Sequence, residues 1–280
     1  MKLCALVIIV GALSVASSAA PISGSGGSGR IAFSDRFWPK NVKITDNWEI
    51  FVVNPAGGAR RNLSLSPYCN ETSPAWSPDG GEIAFTCGFG NPAMYVMRDD
   101  GRLRRRVPKS RPAYHLSWSP DGRRIAFLSR GWLSTIGIDG RGLRRVTREG
   151  GSGLSWSPDG RKIAFVRPSG IFVVNVDGSG RRRLTRSRDD MLPAWSPDGR
   201  KIAFERNDGI YLMDPDGSDI HRLLSGGEPA WSPDSRQLAF WRVIHPPISE
   251  IFVVNRDGSH LRRTGGSAGQ GGGLSWGRTP

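Results

Sequence analysis

Four side chains of this 280-residue chain could do acid–base chemistry at similar points of a repeated segment. Glu71, His115, Asp190 and Glu228 each lie just ahead of a Trp-Ser pair. If the fold gathers these segments around one axis, the carboxylates meet, and paired carboxylates can cleave a glycosidic bond. This pattern raises a glycan-active hydrolase or lyase as one function. The alternative is that these residues are charges in solvated loops.

Other patterns that could carry chemistry are weak. GGSAG at 265–269 has the spacing of a nucleophile elbow, but it lies in a Gly-rich loop with no helix after it, so we interpret it as a linker. DPDGSD at 214–219 lacks the length and the final Glu of a calcium loop. Of four histidines, only His115 and His245 fall on one predicted face, which is weak support for a metal site. We therefore expect no catalytic residue, no metal and no cofactor.

The elements that would position these residues form an internal repeat. A Trp-Ser pair occurs at Trp76, Trp118, Trp156, Trp195, Trp231 and Trp276. The triplet IAF, or LAF in one case, starts at Ile31, Ile83, Ile125, Ile163, Ile202 and Leu238. Each unit continues with an apolar run such as IFVVN, a turn of the form xDG and a basic stretch such as RRRL. Four short strands in a unit of about forty residues are typical of propeller blades.

The two ends of the repeat region are complementary. The strand at Ile31 has no Trp-Ser strand before it, and the strand LSWG at 274–277 has no IAF strand after it. We expect the last strand to pair with the first IAF strand, because this removes the open edge of a linear array. The predicted fold is all-β: a six-bladed β-propeller over 31–277 with four-stranded blades, closed by the C-terminal strand.

The amino-terminal segment predicts export. Residues 1–20 contain one Lys, an apolar run at 3–13 and then small residues, the layout of a secretory signal, with a retained anchor as the alternative. A Gly/Ser linker follows at 21–30. We expect a secreted, periplasmic or cell-envelope protein with no transmembrane segment after cleavage. The two cysteines that remain, Cys69 and Cys87, then predict a disulfide, with two free thiols as the alternative.

The formal charge of +14 arises from 33 Arg and 6 Lys against 25 acidic residues. Such a charge attracts acidic surfaces weakly and in a salt-dependent way. Because an exported protein seldom meets nucleic acid, we expect no nucleic-acid partner. The arginines predicted on the outermost strands are interpreted as a solvated rim that protects exposed edges: Arg104, Arg105, Arg106, Arg181, Arg182 and Arg183.

The segment PAWSPDGRKIAF at 193–204, followed by IYLMDPDG at 210–217 and HRLL, resembles the WD-like repeat of TolB-type six-bladed propellers. The resemblance spans 31–277. It implies an exported binding or scaffolding module. TolB itself carries an α/β domain ahead of its propeller, which we do not expect here because only 21–30 separate the signal from the first strand.

Binding residues are expected where the blades differ from one another. In a propeller, the turns from first to second and third to fourth strand share one face, and the remaining connections share the other. The connections are elaborated in the blades at Ile31, Ile83 and Leu238, which are neighbours if the ring closes. The ligand-binding candidates on this face are Trp38, Trp48, Tyr68, Asn70, Phe89, His115, Asp190, Glu228, Trp241 and His245.

Aromatic side chains at such a rim could anchor a peptide or a sugar, although they could also simply cover the blade tops. We therefore expect a monomeric, non-enzymatic module that binds a protein or a cell-envelope glycan, with the glycan-active enzyme as the alternative.

Overall fold

The computed structural model describes residues 29–37, 47–66, 69–148, 151–246, 248–268 and 272–280. The predicted signal and most of the predicted linker lie outside these ranges. Six antiparallel sheets of four strands form the blades of a ring, and the described residues contain no helix. The predicted fold class is confirmed.

Blades 1 to 6 follow chain order, except that the last strand belongs to blade 1. Blade 1 contains β1 (Arg30–Phe37), β2 (Asn47–Val53), β3 (Arg61–Asn62) and β24 (Gly272–Gly277), and blade 2 contains β4 (Glu71–Trp76), β5 (Glu82–Cys87), β6 (Ala93–Arg98) and β7 (Arg105–Arg106). Blade 3 contains β8 (Tyr114–Trp118), β9 (Arg124–Ser129), β10 (Trp132–Gly137) and β11 (Arg144–Arg148), and blade 4 contains β12 (Leu154–Trp156), β13 (Lys162–Arg167), β14 (Gly170–Asn175) and β15 (Arg182–Arg183). Blade 5 contains β16 (Asp190–Trp195), β17 (Ile202–Arg206), β18 (Gly209–Met213) and β19 (His221–Ser225), and blade 6 contains β20 (Gly227–Trp231), β21 (Gln237–His245), β22 (Ile248–Asn255) and β23 (Arg262–Ala268).

The ring closes through the two ends of the repeat region, as the sequence predicts. Strand β24 pairs antiparallel with β1, with Ile31 opposite Trp276 and Phe33 opposite Leu274. Blade 1 therefore takes its innermost strand from the C-terminal end of the chain.

The repeated SPDG motif builds the turn between the first two strands of a blade. In blade 4, the Ser157 hydroxyl donates to Asp159 Oδ1 at 2.5 Å and accepts the Lys162 backbone N–H at 2.9 Å. The Arg161 backbone N–H donates to the same Asp159 oxygen at 3.0 Å. Gly160 takes the left-handed conformation, with φ of 69°. These bonds, led by the one from Ser157, lower the pKa of Asp159. The motif therefore recurs because each of its side chains satisfies a backbone group of the turn.

The IAF triplet packs neighbouring blades together. In blade 2, Ile83 and Phe85 face blade 1, where Val52 belongs to the same apolar cluster, and Ala84 faces Trp118 of blade 3. Alternate side chains of a strand point to opposite faces, so one triplet serves two interfaces, a bulky one and a small one. Six such clusters follow the ring, and the one between blades 6 and 1 closes it. A fully buried Phe contributes about 1.5–3 kcal/mol to such an interface.

Arginine side chains cover the aromatic ring on the third strand of every blade. The guanidinium groups lie 4.7 to 5.9 Å from the ring centroids in the pairs Arg60–Phe51, Arg104–Tyr95, Arg145–Trp132, Arg183–Phe172, Arg206–Tyr211 and Arg242–Phe252. Such contacts are favourable through the ring quadrupole. The prediction of a solvated rim fits Arg105, Arg106 and 181–183, which are exposed. It is wrong for Arg104, which lies over two rings and is mostly buried.

Candidate functional site

The two faces of the ring differ in the length of their connections. We call the face with the SPDG and xDG turns the turn face, and the opposite one the loop-rich face. On the loop-rich face, the second and third strands of blades 3, 4 and 5 are joined by two residues, 130–131, 168–169 and 207–208. In blades 1, 2 and 6 the connection or the strands themselves are longer. The loop-rich face is therefore low over blades 3 to 5 and tall over blades 6, 1 and 2.

The tall part of blade 6 is a strand hairpin rather than the predicted loop. Strand β21 continues to His245 and β22 begins at Ile248, so most of WRVIHPPISE is extended. Strand β20 pairs with β21 only as far as Trp241. The hairpin therefore projects beyond the innermost strand of its blade, while β23 follows it as far as Ser249.

A channel of about 610 Å³ follows the axis of the ring and is lined by the six innermost strands. The third residue before each Trp-Ser pair takes a left-handed φ, at Ser73 (55°), His115 (48°), Gly153 (88°), Leu192 (51°), Glu228 (52°) and Gly273 (80°). All six line the channel at its loop-rich end. A β-bulge accompanies this conformation in blades 1, 2, 3, 5 and 6. The six residues form the channel mouth.

Close packing explains the two glycines of the channel mouth. A Cβ on Gly153 would lie 2.7 Å from Leu192 Cα, and one on Gly273 would lie 2.9 Å from Ser73 Cα. Residues other than glycine in this conformation cost roughly 1 kcal/mol or more each. Strain of this kind concentrates at functional sites, so the channel mouth is a candidate site.

Glu228 links blades 5, 6 and 1 at the channel mouth. Its Oε2 accepts the Gly273 backbone N–H at 3.0 Å, and its own backbone N–H donates to Glu205 Oε2 at 2.9 Å. Burial raises the pKa of Glu228 to about 7, and the nearby Glu205 carboxylate adds to the shift. This carboxyl group is therefore only partly ionised at neutral pH.

His115 occupies the same position in blade 3, three blades away from Glu228 in a ring of six. It therefore faces Glu228 across the channel mouth. Burial lowers the pKa of His115, so its imidazole is neutral at pH 7. Of the four acid–base candidates, the structure brings these two to the channel.

The prediction that Glu71 and Asp190 also approach the channel is wrong. Both carboxylates are fully buried and neither lines the channel. Arg104 Nη1 lies 2.5 Å from Glu71 Oε1, and Arg206 contacts Asp190 through Nε at 2.5 Å and Nη2 at 3.1 Å. Both residues lie two positions before the bulge, where they still pair with the second strand and turn towards an arginine of their own blade. They are structural ion pairs.

Other buried carboxylates near this face are bonded in the same way. Asp35 pairs with Arg60, and Glu250 pairs with Arg263. Glu49 accepts a hydrogen bond from the amide of Asn62. These contacts give each carboxylate a partner within its own blade.

Of the predicted aromatic candidates that the structure describes, Trp48, Phe89 and Trp241, Phe89 alone is strongly exposed, with 65% of its surface open. Trp48 is partly buried beneath the guanidinium of Arg36, and its backbone N–H donates to Asn70 Oδ1 at 3.1 Å. His245 is exposed at the tip of the blade 6 hairpin. The structure therefore places Trp48 and Asn70 together, with Phe89 and His245 on the neighbouring blades.

The prediction that Trp241 is a surface aromatic is wrong. Its side chain is only 7% exposed and packs edge-on against Phe33 of blade 1, with ring centroids 5.7 Å apart. It directly follows the LAF triplet, so strand alternation turns it to the small side of blade 6, against blade 1. Trp38 and Tyr68 lie outside the described residues.

Cys69 and Cys87 are joined by a disulfide, with their Cα atoms 5.5 Å apart. The bond ties the segment that enters blade 2 to the end of β5. It fixes the backbone next to Asn70 and Glu71, and Cys87 Sγ also accepts a contact from Arg104 Nη2 at 3.2 Å. The disulfide therefore supports this part of the loop-rich face.

Exposed aliphatic residues on the same blades were missed by the sequence reasoning. Val243 is 61% exposed and Ile248 is 48% exposed on the blade 6 hairpin, and Leu65 is 71% exposed on the connection from blade 1 to blade 2. Together with Phe89 and Ile244, we call these residues the apolar arc. The β-branched pair at 243–244 was the signal that could have revealed it.

Within the described ranges, no group of three or more His, Cys, Asp or Glu side chains could hold a metal ion. The same residues include no helix long and apolar enough to cross a membrane.

No protein-family model matches the chain. Among curated proteins, the Tol-Pal system protein TolB of Anaeromyxobacter dehalogenans (strain 2CP-C) and that of Anaeromyxobacter sp. (strain K) are each 38% identical over 107 residues. The match covers 36% of this chain and 24% of each relative. The chain therefore spans about a quarter of the length of the curated relatives it matches.

Solved structures share the fold. TolB from Acinetobacter baumannii superposes with a TM-score of 0.73 at 19% identity, over 89% of this chain and 66% of that one. A TolB-like structure from Agrobacterium tumefaciens gives 0.59 at 24% identity, over 83% and 99%. An oligogalacturonate lyase from Vibrio parahaemolyticus gives 0.54 at 13% identity, over 85% and 74%. At these identities the likeness shows the propeller fold and nothing more specific.

Proposed function

We propose that this chain, a TolB-like six-bladed β-propeller, is an exported module that binds a protein partner on its loop-rich face. The observation that carries the proposal is the apolar arc, which places five exposed apolar side chains on the neighbouring blades 6, 1 and 2. Exposed aliphatic residues on the turn face occur one to a blade, at Leu103, Leu143, Ile220 and Leu261. Single exposed residues are ordinary, whereas several exposed apolar residues on neighbouring blades of one face favour an interaction site.

Several observations favour a protein over a glycan. The arc is mainly aliphatic, and aliphatic side chains complement an apolar protein surface better than a sugar. Trp241, which would have been the natural platform for a sugar, is buried. The curated relatives are named as Tol-Pal system proteins, which supports a periplasmic partner.

The closed ring leaves no blade for a second copy to complete, which supports a monomer.

A non-enzymatic role is favoured because the predicted catalytic carboxylates are occupied. Glu71 and Asp190 are paired with arginines inside the blades. Glu228 alone remains in the channel, with a pKa that would suit a general acid. The glycan-active function is therefore the second candidate. This second function predicts that the wild-type protein shortens polygalacturonate and that Glu228→Gln abolishes the activity. Absence of turnover by the wild-type protein would refute it.

The binding function is tested by cross-linking the purified protein to a cell-envelope fraction. The test variant is Phe89→Ser with Val243→Ser, and the control is Leu103→Ser with Leu143→Ser on the turn face. We expect the test variant to lose a partner protein that wild type and control retain. Equal recovery by all three proteins, or loss in the control alone, would contradict the proposal.

A further inference from the structure

Positive charge is concentrated on the low part of the loop-rich face, over blades 3 and 4. Six exposed cations lie on the connections around these blades or, for Arg148, at the strand end next to one: Lys109, Arg111, Arg130, Arg148, Arg186 and Arg188. We call them the basic sector. None of the six forms an ion pair with a carboxylate in the part of the chain that the structure describes.

The turn face of the same blades has as many arginines but a different arrangement. Arg123 and Arg161 follow the turn aspartates Asp121 and Asp159 by two residues. Hydrogen bonds from Ser119 and Ser157 are the main cause of the lowered pKa values of these aspartates, and the two arginine charges lower them further. Cations and anions therefore alternate on the turn face, and their fields largely cancel within a Debye length of about 8–10 Å.

The described connections of the loop-rich face have no comparable balance over blades 3 and 4. Its carboxylates Glu71 and Asp190 are buried and already paired with Arg104 and Arg206. Asp189 is the exposed acid on the described connections of this sector. The basic sector therefore presents a net positive field to a ligand on this face.

We propose that the basic sector receives an acidic segment of the protein partner while the apolar arc holds the rest of its contact surface. This inference rests on the proposed function and gives the partner's chemistry. Arginine forks bind carboxylates in bidentate geometry, and the sector is built mostly from arginine. The two-residue turns at 130–131 and 168–169 keep this half of the face low, which leaves room for an extended segment. Because the sector shares its face with aliphatic side chains, a protein surface matches the whole contact better than a polysaccharide does.

Two charge-reversal variants test the proposal. The loop-face variant carries Arg130→Glu, Arg186→Glu and Arg188→Glu. In the described part of the chain, the side chains of these three arginines make no hydrogen bond or ion pair. The turn-face variant carries Arg123→Glu, Arg161→Glu and Arg200→Glu. Three changes of two charges each lower the net charge of +14 equally in both. The probes are fluorescent poly-L-glutamate, polygalacturonate and phosphatidylglycerol vesicles, each titrated at low and at physiological salt.

We expect the loop-face variant to bind poly-L-glutamate at least about tenfold more weakly than the turn-face variant, because each exposed pair is worth up to about fivefold. We also expect a shallower salt dependence for the loop-face variant. Equal loss in both variants would mean that net charge alone attracts the probe and would overturn the proposal. Tighter, loop-face-dependent binding of polygalacturonate or of the vesicles would overturn the choice of an acidic protein segment.

The outcome is distinct from that of the proposed function. The Phe89→Ser and Val243→Ser variant leaves the basic sector intact, so its binding of poly-L-glutamate should equal that of wild type. If this variant loses the cross-linked partner while both charge-reversal variants keep it, protein binding stands and the acidic segment is refuted.

Discussion

Ile31 of β1 lies directly opposite Trp276 of β24, so residues from the two ends of the propeller share one blade. Both side chains belong to the apolar cluster that joins blade 1 to blade 6. This pairing makes blades 6, 1 and 2 neighbours. The residues of the apolar arc lie on neighbouring blades only because the ring closes here.

Removal of 272–280 should open the ring. Loss of Trp276 alone removes a buried aromatic side chain, which costs about 3–5 kcal/mol. The freed inner edge of β1 should also cause self-association. Urea unfolding and light scattering would show both effects. Removal of 278–280, beyond β24, is the control, and equal stability of the two truncated proteins would contradict ring closure through this strand.

Glu228→Gln should stabilise the protein increasingly as the pH rises. The pKa of Glu228 is raised to about 7 in the folded protein, so the folded state binds the proton more tightly than the unfolded state. Wild-type stability should therefore fall between the unfolded pKa, near 4.5, and about 7. The Gln variant should not show this fall in stability, which is worth roughly 3 kcal/mol at most. The amide oxygen of the Gln side chain should still accept the Gly273 N–H.

Urea unfolding at about pH 5 and about pH 8 measures this difference. The stability gap between variant and wild type should widen at the higher pH. A gap that is the same at both pH values would show that Glu228 ionises normally.

Arg104→Met should be strongly destabilising because it leaves the Glu71 carboxylate buried without its partner. Such a change costs about 3–5 kcal/mol. The double variant with Glu71→Gln should recover part of the loss. Arg105→Met, which breaks an exposed pair with Glu82, is the matched control and should cost at most about 1 kcal/mol. Equal effects of the two single variants would refute the structural role of Glu71.

The disulfide should be present in the native protein and should stabilise it. Its two cysteines are 18 positions apart, and a loop of this length predicts roughly 3 kcal/mol in the chain-entropy model. Mass spectrometry without reduction should show no alkylation of Cys69 or Cys87. The Cys69→Ser, Cys87→Ser protein should unfold at lower urea, and alkylation of both thiols in the native protein would contradict the prediction.

The sequence was sufficient to predict the fold because every blade repeats the same short sequence motifs. SPDG specifies a turn, and IAF specifies a strand with one bulky and one small face. The complementary ends at Ile31 and Trp276 then determine blade number and closure. None of these inferences needs contacts between distant parts of the chain beyond the pairing of those ends.

The candidate site was harder to predict because side-chain direction depends on backbone features that the amino-acid sequence does not show directly. A bulge three residues before the Trp-Ser pair separates Glu228 from Glu71 and Asp190, although all three lie in the first half of an inner strand. Trp241 looked like a loop residue, but β21 continues past it and alternation buries it. The basic sector depends on which arginines lack acidic neighbours, and this requires the arrangement of both faces.

The central claim is that the partner occupies the loop-rich face, and hydrogen exchange on the cross-link-identified complex tests it most directly. We expect slower exchange at 88–92 and 242–246, on the tall blades, and unchanged exchange in the SPDG turns at 77–81 and 157–161. Protection confined to the SPDG turns, with 88–92 and 242–246 unaffected, would contradict the account.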